Sequence, residues 1–233
     1  MEFGCGDIQM IKSSDRSILL MVTEEDGDQA FYIKFESGFS WPGGASGPTV
    51  GEGYDLGYST AAEIAVDWSP FIDAPRVAIL QKAAGKTGSA AKAFVEAHKS
   101  SITITWAESL AQFRGHELPK WEAIVASHLP NTDKLTGDCY GALTSLTYNR
   151  GPSFDLPGSR YIEMRNIKAH MAAQQFDLIP DEFLSMRRLW PKGGDLWNRR
   201  GHEALLFRDG LMVPPPAAVA PAIPVPNPQK VLS

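Results

Sequence analysis

The amino-acid sequence predicts a mainly helical α+β protein with a small β element near the N-terminus. Three observations support this fold class. Segments with helical spacing of apolar residues fill most of the chain after Thr60. A glycine-punctuated run of β-favouring residues, 49–58, precedes them. The 233 residues are 43% hydrophobic and 21% charged, which is typical of a globular protein with a core of normal size.

The chain begins with a polar segment, residues 1–22, which we interpret as a leader. Its apolar run at 18–22 is too short to span a membrane, and the segment lacks the pattern of a secretory signal. We therefore expect synthesis in the cytoplasm without membrane insertion. A first helix is predicted over 23–36, with Thr23 as N-cap, acidic residues in the first turn and Gly38 just beyond its end.

A loop rich in Gly, Pro and Ser is predicted at 37–48, followed by the β element at 49–58. The remaining folded chain is predicted to be helical, with Asp195 as the N-cap of the last helix. The predicted helical segments are 74–84, 88–99, 102–118, 119–129, 138–151, 159–175, 180–189 and 195–207. The proline-rich segment 213–233 is expected to be extended or disordered, so the folded domain is predicted to span 23–212.

Charge and composition argue against several classes of protein. The net charge of −5 is unlike that of a nucleic-acid-binding protein. Two cysteines do not form a disulfide framework. The sequence GHE occurs at 115–117 and 201–203, but neither copy continues to the HExxH zinc motif. We therefore expect a monomer that uses no metal or other cofactor.

Two carboxylates flank the glycine-rich loop. Glu36 would lie in the last turn of the predicted first helix, where the helix dipole and nearby aromatic residues favour the protonated form of a carboxyl group. Alternation along the predicted strand would place Thr49 and Asp55 on one face and Glu52 on the other. A proton-donating carboxyl group opposite a carboxylate and a hydroxyl that hold a water is the arrangement used in glycoside hydrolysis.

Three segments in this order resemble phage lysozymes of the T4 type, the muramidases of glycoside hydrolase family 24. They are a glutamate that ends a first helix before the T-V-G-x-G run at 49–53, the segment GALTSLTYNRG at 141–151, and the segment DLWNRRGHEALLF at 195–207. The family's second acid would fall at Gly43. Asp55, six residues after the threonine, instead resembles the register of pesticin-type muramidase domains.

The resemblance implies a lysozyme-like fold with a small β lobe and a helical lobe. It implies hydrolysis of the β-1,4 bond between N-acetylmuramic acid and N-acetylglucosamine in the glycan strands of peptidoglycan. Glu36 would be the general acid, and Asp55 with Thr49 would hold the attacking water, which predicts an inverting mechanism. Released to the cell wall by other means, the enzyme would act as an endolysin or a delivered effector.

The resemblance also implies a substrate-facing wall. Tyr148 and Asn149 match the family's aromatic and amide residues, and Arg199 (or Arg200) matches an arginine near the catalytic glutamate. Tyr54, beside Asp55 on the β element, is a further candidate for substrate binding.

Two alternatives remain open. GDCYGAL at 137–143 is similar to the nucleophile motif of the NlpC/P60 cysteine peptidases, with Cys139 as nucleophile and stem peptides of peptidoglycan as substrate. The helices predicted after Cys139 argue against it, because that fold requires strands there. The other alternative is a non-catalytic module that binds the cell wall or forms part of a phage particle.

Overall fold

The structure, a computed structural model, describes residues 12–213. It is mainly helical and contains a small antiparallel sheet, as predicted. The α-helices are α1 (Asp15–Asp26), α2 (Gln29–Phe31), α3 (Ala61–Trp68), α4 (Ala74–Gln81), α5 (Gly88–His98), α6 (Trp106–Gln112), α7 (Leu118–His128), α8 (Gly137–Arg150), α9 (Ile162–Ala173), α10 (Ile179–Met186) and α11 (Asp195–Leu211). The strands are β1 (Thr49–Val50) and β2 (Tyr54–Asp55).

Shorter helical turns connect these elements. Two are π-helical, Tyr32–Glu36 and Phe113–Glu117. The 3₁₀ turns are Leu56–Tyr58, Thr132–Lys134, Ser159–Tyr161, Phe176–Leu178 and Arg187–Leu189. Within residues 12–213, no helix combines the length and the apolar character needed to cross a membrane.

The prediction of a first helix over 23–36 is wrong. Helix α1 begins after Ser14, whose side chain accepts a hydrogen bond from the backbone N–H of Ser17. It ends at Gly27, which adopts a positive φ of 72° that favours glycine. The acidic run 24–26 therefore occupies the last turn of a helix rather than the first.

This helix also changes the predicted domain limits. The predicted boundary at residue 23 falls inside α1, whose Ile18, Met21 and Val22 are buried. The packed chain includes Lys12, whose backbone N–H donates to the Glu122 carboxylate. Residues 1–11 of the predicted leader and 214–233 of the predicted tail lie outside the described residues.

The predicted β element is a hairpin rather than one continuous strand. Thr49 pairs with Asp55, and Val50 with Tyr54, around a three-residue turn. Gly51 and Gly53 in this turn have positive φ values of 59° and 82°. Opposed residues of an antiparallel pair project to the same face. Thr49 and Asp55 therefore share a face, as predicted, but because they are opposed across the hairpin.

The later helices fall close to the predicted segments. The largest difference concerns 102–118, where α6 starts at Trp106 and then gives way to the π-helical turn Phe113–Glu117. At the last helix, Asp195 is the first helical residue, and Gly194 occupies the N-cap position predicted for Asp195.

The hydrophobic core forms two main clusters. One lies among α7 to α11 and includes Leu143, Phe183 and Phe207. The other fills the region of the hairpin and α3 to α5, around the fully buried Trp68. A third, smaller cluster joins α1 to the turn Phe113–Glu117 and α7. These clusters define a hairpin lobe and a helical lobe, with α1 and α7 between them.

Candidate functional site

A cleft of about 420 Å³ lies where α1, the hairpin, α7 and α8 meet. Its walls come from both lobes. The lining residues are Glu25, Gly53, Tyr54, Asp55, Tyr58, Ser59, Glu117, Lys120, Trp121, Tyr148 and Asn149. Of the seven predicted site residues, this cleft contains Asp55, Tyr54, Tyr148 and Asn149.

Glu25 brings a second carboxylate to the same cleft from the last turn of α1. Its Oε1 accepts a hydrogen bond of 2.5 Å from Nη1 of Arg199. A Cβ added at Gly53 would lie 3.9 Å from its Oε2, so this oxygen faces the tip of the hairpin. The Glu25 side chain is 26% exposed. One oxygen is therefore fixed and the other is directed toward the cleft.

Arg199, predicted to lie near the catalytic glutamate, contacts Glu25 rather than Glu36. It comes from α11, is almost fully buried, and also donates to the carbonyl and hydroxyl of Ser145 at 3.3 and 3.2 Å. Burial lowers the pKa of Arg199, but the charges of Glu203 and Glu25 outweigh this effect and the pKa is raised. The guanidinium is therefore a permanent cation behind Glu25.

A buried charge network supports Arg199. Glu203 is fully buried and accepts hydrogen bonds from Ser145 at 2.7 Å and from Arg200 at 2.8 Å. Arg199 lies 3.4 Å from the same carboxylate. Because a buried charge is costly without partners, this network restricts Arg199 to one position. Both arginines predicted from the 195–207 segment thus serve this network.

Asp55 lines the cleft from the opposite lobe. Its carboxylate accepts hydrogen bonds from the backbone N–H groups of Gly47, at 3.0 and 3.1 Å, and of Gly57, at 2.8 Å. A carboxylate has about four acceptor positions, so these contacts fix its orientation and leave capacity for a water or substrate hydroxyl.

Thr49 and Glu36 line a smaller adjoining cleft of about 320 Å³. Glu25 and Gly53 belong to the walls of both clefts, whereas Glu36 lines the smaller one. Glu36 ends the π-helical turn Tyr32–Glu36 and is half-buried. Glu25 therefore shares the main cleft with Asp55 and the smaller one with Thr49.

Aromatic residues form the floor and the far wall of the main cleft. Tyr148 donates to the backbone carbonyl of Glu52 at 2.6 Å, which ties α8 to the hairpin turn. Its ring meets Trp121 edge-on, with centroids 5.3 Å apart. Tyr54 donates to Asp67 at 2.6 Å, and burial, reinforced by this hydrogen bond, raises its pKa. Both tyrosine hydroxyls therefore have protein partners, and Tyr54 is buried with its ring against Trp68, while Tyr148 is half-buried at the wall of the cleft.

Glu52, which the strand pattern turned away from the site, is buried at the tip of the hairpin. Ser109 of α6 donates to its carboxylate at 3.2 Å. This position holds the hairpin against the helices, while the carboxylates that line the cleft are Glu25, Asp55 and Glu117.

Cys139, the predicted nucleophile of the cysteine-peptidase alternative, lies in the first turn of α8 and is 1% exposed. Its thiol donates to the carbonyl of Phe207. Burial raises the pKa of the thiol to about 11. A nucleophilic cysteine needs the opposite, a lowered pKa and access to substrate.

Glu25 is the site residue that sequence reasoning missed. The available signal was local: Ser14 before Asp15 is an N-cap pattern, and Gly27 directly after Glu25-Asp26 is a helix-terminating glycine. The predicted first helix instead places the acidic run in its first turn, because the helix dipole favours carboxylates there.

Comparison with known proteins gives one similarity. The family profile described as "Domain of unknown function (DUF8812)" matches residues 22–122, less than half of the chain. The matched stretch contains Glu25, Thr49 and Asp55 but not Tyr148 or Arg199. No curated protein matches the chain.

Proposed function

We propose that this protein is a muramidase, a glycoside hydrolase that cleaves the β-1,4 bond between N-acetylmuramic acid and N-acetylglucosamine in peptidoglycan. The observation that carries the proposal is that two carboxylates, Glu25 of α1 and Asp55 of the hairpin, line one cleft. Glycoside hydrolysis uses such a pair on either side of the scissile bond.

In this proposal Glu25 replaces Glu36 as the general acid. Glu25 lines the same cleft as Asp55, and it is fixed by Arg199 through one oxygen. The other oxygen, directed toward the hairpin tip, would deliver the proton to the leaving glycosidic oxygen. Glu36 would then contact the glycan where the smaller cleft extends the binding groove.

Asp55 would act as the general base and hold the attacking water together with Thr49. The two residues are opposed across the hairpin and therefore project to one face. The backbone donors from Gly47 and Gly57 hold the Asp55 carboxylate in place. A water held in this way attacks the face opposite Glu25, so we expect inversion at the anomeric carbon.

The surrounding residues suit a glycan ligand. Tyr148 and Asn149 on α8, with Trp121 on α7, offer ring faces and an amide at the wall of the cleft. The exposed Tyr58 extends this surface on the hairpin lobe, whereas Tyr54, beside Asp55, lines the cleft but is buried. Aromatic faces stack on sugar rings, and the amide is suited to an N-acetyl group. Under this proposal the fold is lysozyme-like, with the hairpin lobe as the small β lobe.

The activity would be tested by digesting purified peptidoglycan and identifying the muropeptides by mass spectrometry. We expect fragments with reducing-end N-acetylmuramic acid. Anhydro-muramic products would indicate a transglycosylase, and cut stem peptides would indicate a peptidase. Absence of soluble products together with retention on the insoluble wall would indicate a non-catalytic binding module.

The assignment of the acid has its own matched test. Glu25→Gln should reduce the turnover rate at least a thousandfold, because the amide cannot donate the proton, whereas Glu36→Gln should reduce it less than tenfold. Both variants keep the side-chain shape, and circular dichroism would verify their folding. If Glu36→Gln reduced the turnover rate more than Glu25→Gln, Glu36 would be the general acid instead. NMR of the first-formed product should show the α-anomer; a β-anomer would exclude inversion.

A further inference from the structure

A second group of ionisable side chains, distinct from Glu25 and Asp55, borders the cleft through Glu117. It combines Asp67 of α3 with His116 and Glu117 of the π-helical turn. One ligand atom from each residue can be chosen so that all three lie within 4.8 Å of one another. We propose that Asp67, His116 and Glu117 form a binding site for a divalent transition metal, with Zn²⁺ as the best chemical match. This inference is independent of the proposed muramidase activity.

The distances within the cluster suit a tetrahedral ion. Nε2 of His116 lies 3.1 Å from Oδ1 of Asp67 and 3.7 Å from Oε1 of Glu117. Zinc binds imidazole nitrogen and carboxylate oxygen at about 2.0–2.2 Å, so two ligand atoms of a tetrahedral site lie about 3.4 Å apart. The His116–Asp67 distance of 3.1 Å is slightly shorter than this value, and the His116–Glu117 distance of 3.7 Å is slightly longer. One imidazole and two carboxylates also match the three-ligand sets that leave a fourth position open.

An unsatisfied buried oxygen points into the cluster. The Glu117 side chain is 9% exposed, and its Oε1 makes no hydrogen bond. Nε2 of His116 lies 3.7 Å from it and Nζ of Lys120 3.9 Å. Leaving a buried carboxylate oxygen without a donor is costly. A cation between Glu117, His116 and Asp67 would remove this cost.

The second oxygen of each carboxylate is already held by an aromatic residue. Tyr54 donates to Oδ2 of Asp67 at 2.6 Å, and Nε1 of Trp121 donates to Oε2 of Glu117 at 3.3 Å. Oδ1 and Oε1 are thereby left to face His116. Ligands of bound metal ions are commonly oriented by such outer hydrogen bonds.

The π-helical turn explains how His116 and Glu117 can face one ion. Consecutive residues of a regular α-helix do not face each other. Here they lie in the turn Phe113–Glu117, and π-helical turns occur frequently at functional sites. Lys120 opposes a bound cation, but its side chain is 56% exposed and is free to turn toward solvent.

A competing arrangement involves no metal. A doubly protonated His116 would donate to Asp67 and attract Glu117, as an ion bridge. The two arrangements differ in what Glu117→Gln does to stability. The ion bridge would lose an attractive charge and become less stable. If the cluster is instead a metal site measured without its ion, Glu117→Gln would remove an unsatisfied buried oxygen. The stability of the protein would then stay the same or increase.

The proposal would be tested on the full chain after treatment with EDTA. Zinc binding would be measured by titration calorimetry with ZnCl₂, and stoichiometry by elemental analysis. We expect one tight site per chain and a rise in Tm of about 5–10 °C at a Zn²⁺ concentration of 100 times Kd. Glu117→Gln and Asp67→Asn should each weaken binding at least tenfold and abolish the rise in Tm.

His170→Gln is the matched control. His170 also contacts a carboxylate, that of Glu182 at 3.3 Å, but it belongs to no three-ligand cluster among the described residues. Its substitution should leave zinc binding unchanged. If zinc does not raise the Tm of the wild-type protein, or if Glu117→Gln lowers the metal-free Tm while zinc binding is retained, the proposal is wrong. Asp67→Asn provides the same test if Glu117→Gln fails to fold.

Discussion

Replacing Arg199 with methionine tests the buried contact that fixes Glu25. Methionine has a similar length and fills the apolar part of the site, so the main loss is the charge and its hydrogen bonds. Breaking a buried ion pair by removing one partner costs about 3–5 kcal/mol. Glu25 is 26% exposed and can be partly hydrated, and Glu203 keeps its 2.8 Å hydrogen bond from Arg200. We therefore expect the lower end, about 3 kcal/mol.

This loss is large enough to measure by thermal unfolding. For a protein of this size, 1 kcal/mol corresponds to about 2–4 °C in Tm. Arg199→Met should therefore lower Tm by about 6–12 °C. The Tm of Arg199→Lys should lie between those of the wild-type protein and Arg199→Met. An ammonium group keeps the charge but cannot donate to Glu25 and Ser145 in the same fork geometry. The muramidase rate should fall by about a hundredfold, the scale expected when a catalytic group is misplaced by 1 Å.

A double-mutant cycle isolates the Glu25–Arg199 contact from the rest of the network. Glu25→Gln should alter stability in the wild-type background but much less in the Arg199→Met background. The difference, a coupling free energy, should be about 1–3 kcal/mol for residues in contact. A Tm within 2 °C of wild type for Arg199→Met, or additive effects of the two substitutions, would refute the role assigned to this pair.

Three further outcomes are expected. Gly141→Ala should destabilise the protein by about 1–3 kcal/mol in urea unfolding, because the new methyl group would overlap Ser17 where α8 crosses α1; full stability would show that the helices can separate. Cys139 should react with a thiol reagent only after unfolding, since its thiol is buried and its pKa is raised to about 11. Arg76 lowers the pKa of Glu108 to about 2. Their pairing therefore stabilises the fold above about pH 4.5, and this stabilisation is lost as the pH falls through about 2. In an acid titration, Arg76→Gln should unfold at a higher pH than the wild-type protein.

Sequence reasoning succeeded where local signals and tertiary packing agree. The segment 138–151 predicted α8, because a continuous run of small and apolar residues is what a central buried helix requires. Asp55 and Thr49 were correctly placed on one face, although the glycines at 51 and 53 lie in a turn rather than in one continuous strand. Here the pattern of residue types alone carried the structural information.

Sequence reasoning failed at α1, where tertiary contacts override a local preference. Carboxylates in the last turn of a helix are opposed by the helix dipole. In the folded protein His202 contacts Glu24 at 2.6 Å and Arg199 contacts Glu25 at 2.5 Å. Both partners lie more than 170 residues away in the sequence, on α11. No local pattern can reveal partners that the fold supplies from so far along the chain.

The same reasoning explains why Glu25 is a better candidate for function than Glu36. A carboxylate that is locally disfavoured persists in a structure when distant groups are positioned to hold it, and such exceptions to local rules are expected at functional sites. Glu36 is held by no ion pair among residues 12–213, whereas Glu25 has a buried arginine, itself fixed by Ser145 and Glu203. Under the proposed function, this network would fix Glu25 relative to Asp55 across the cleft, which two-carboxylate hydrolysis requires.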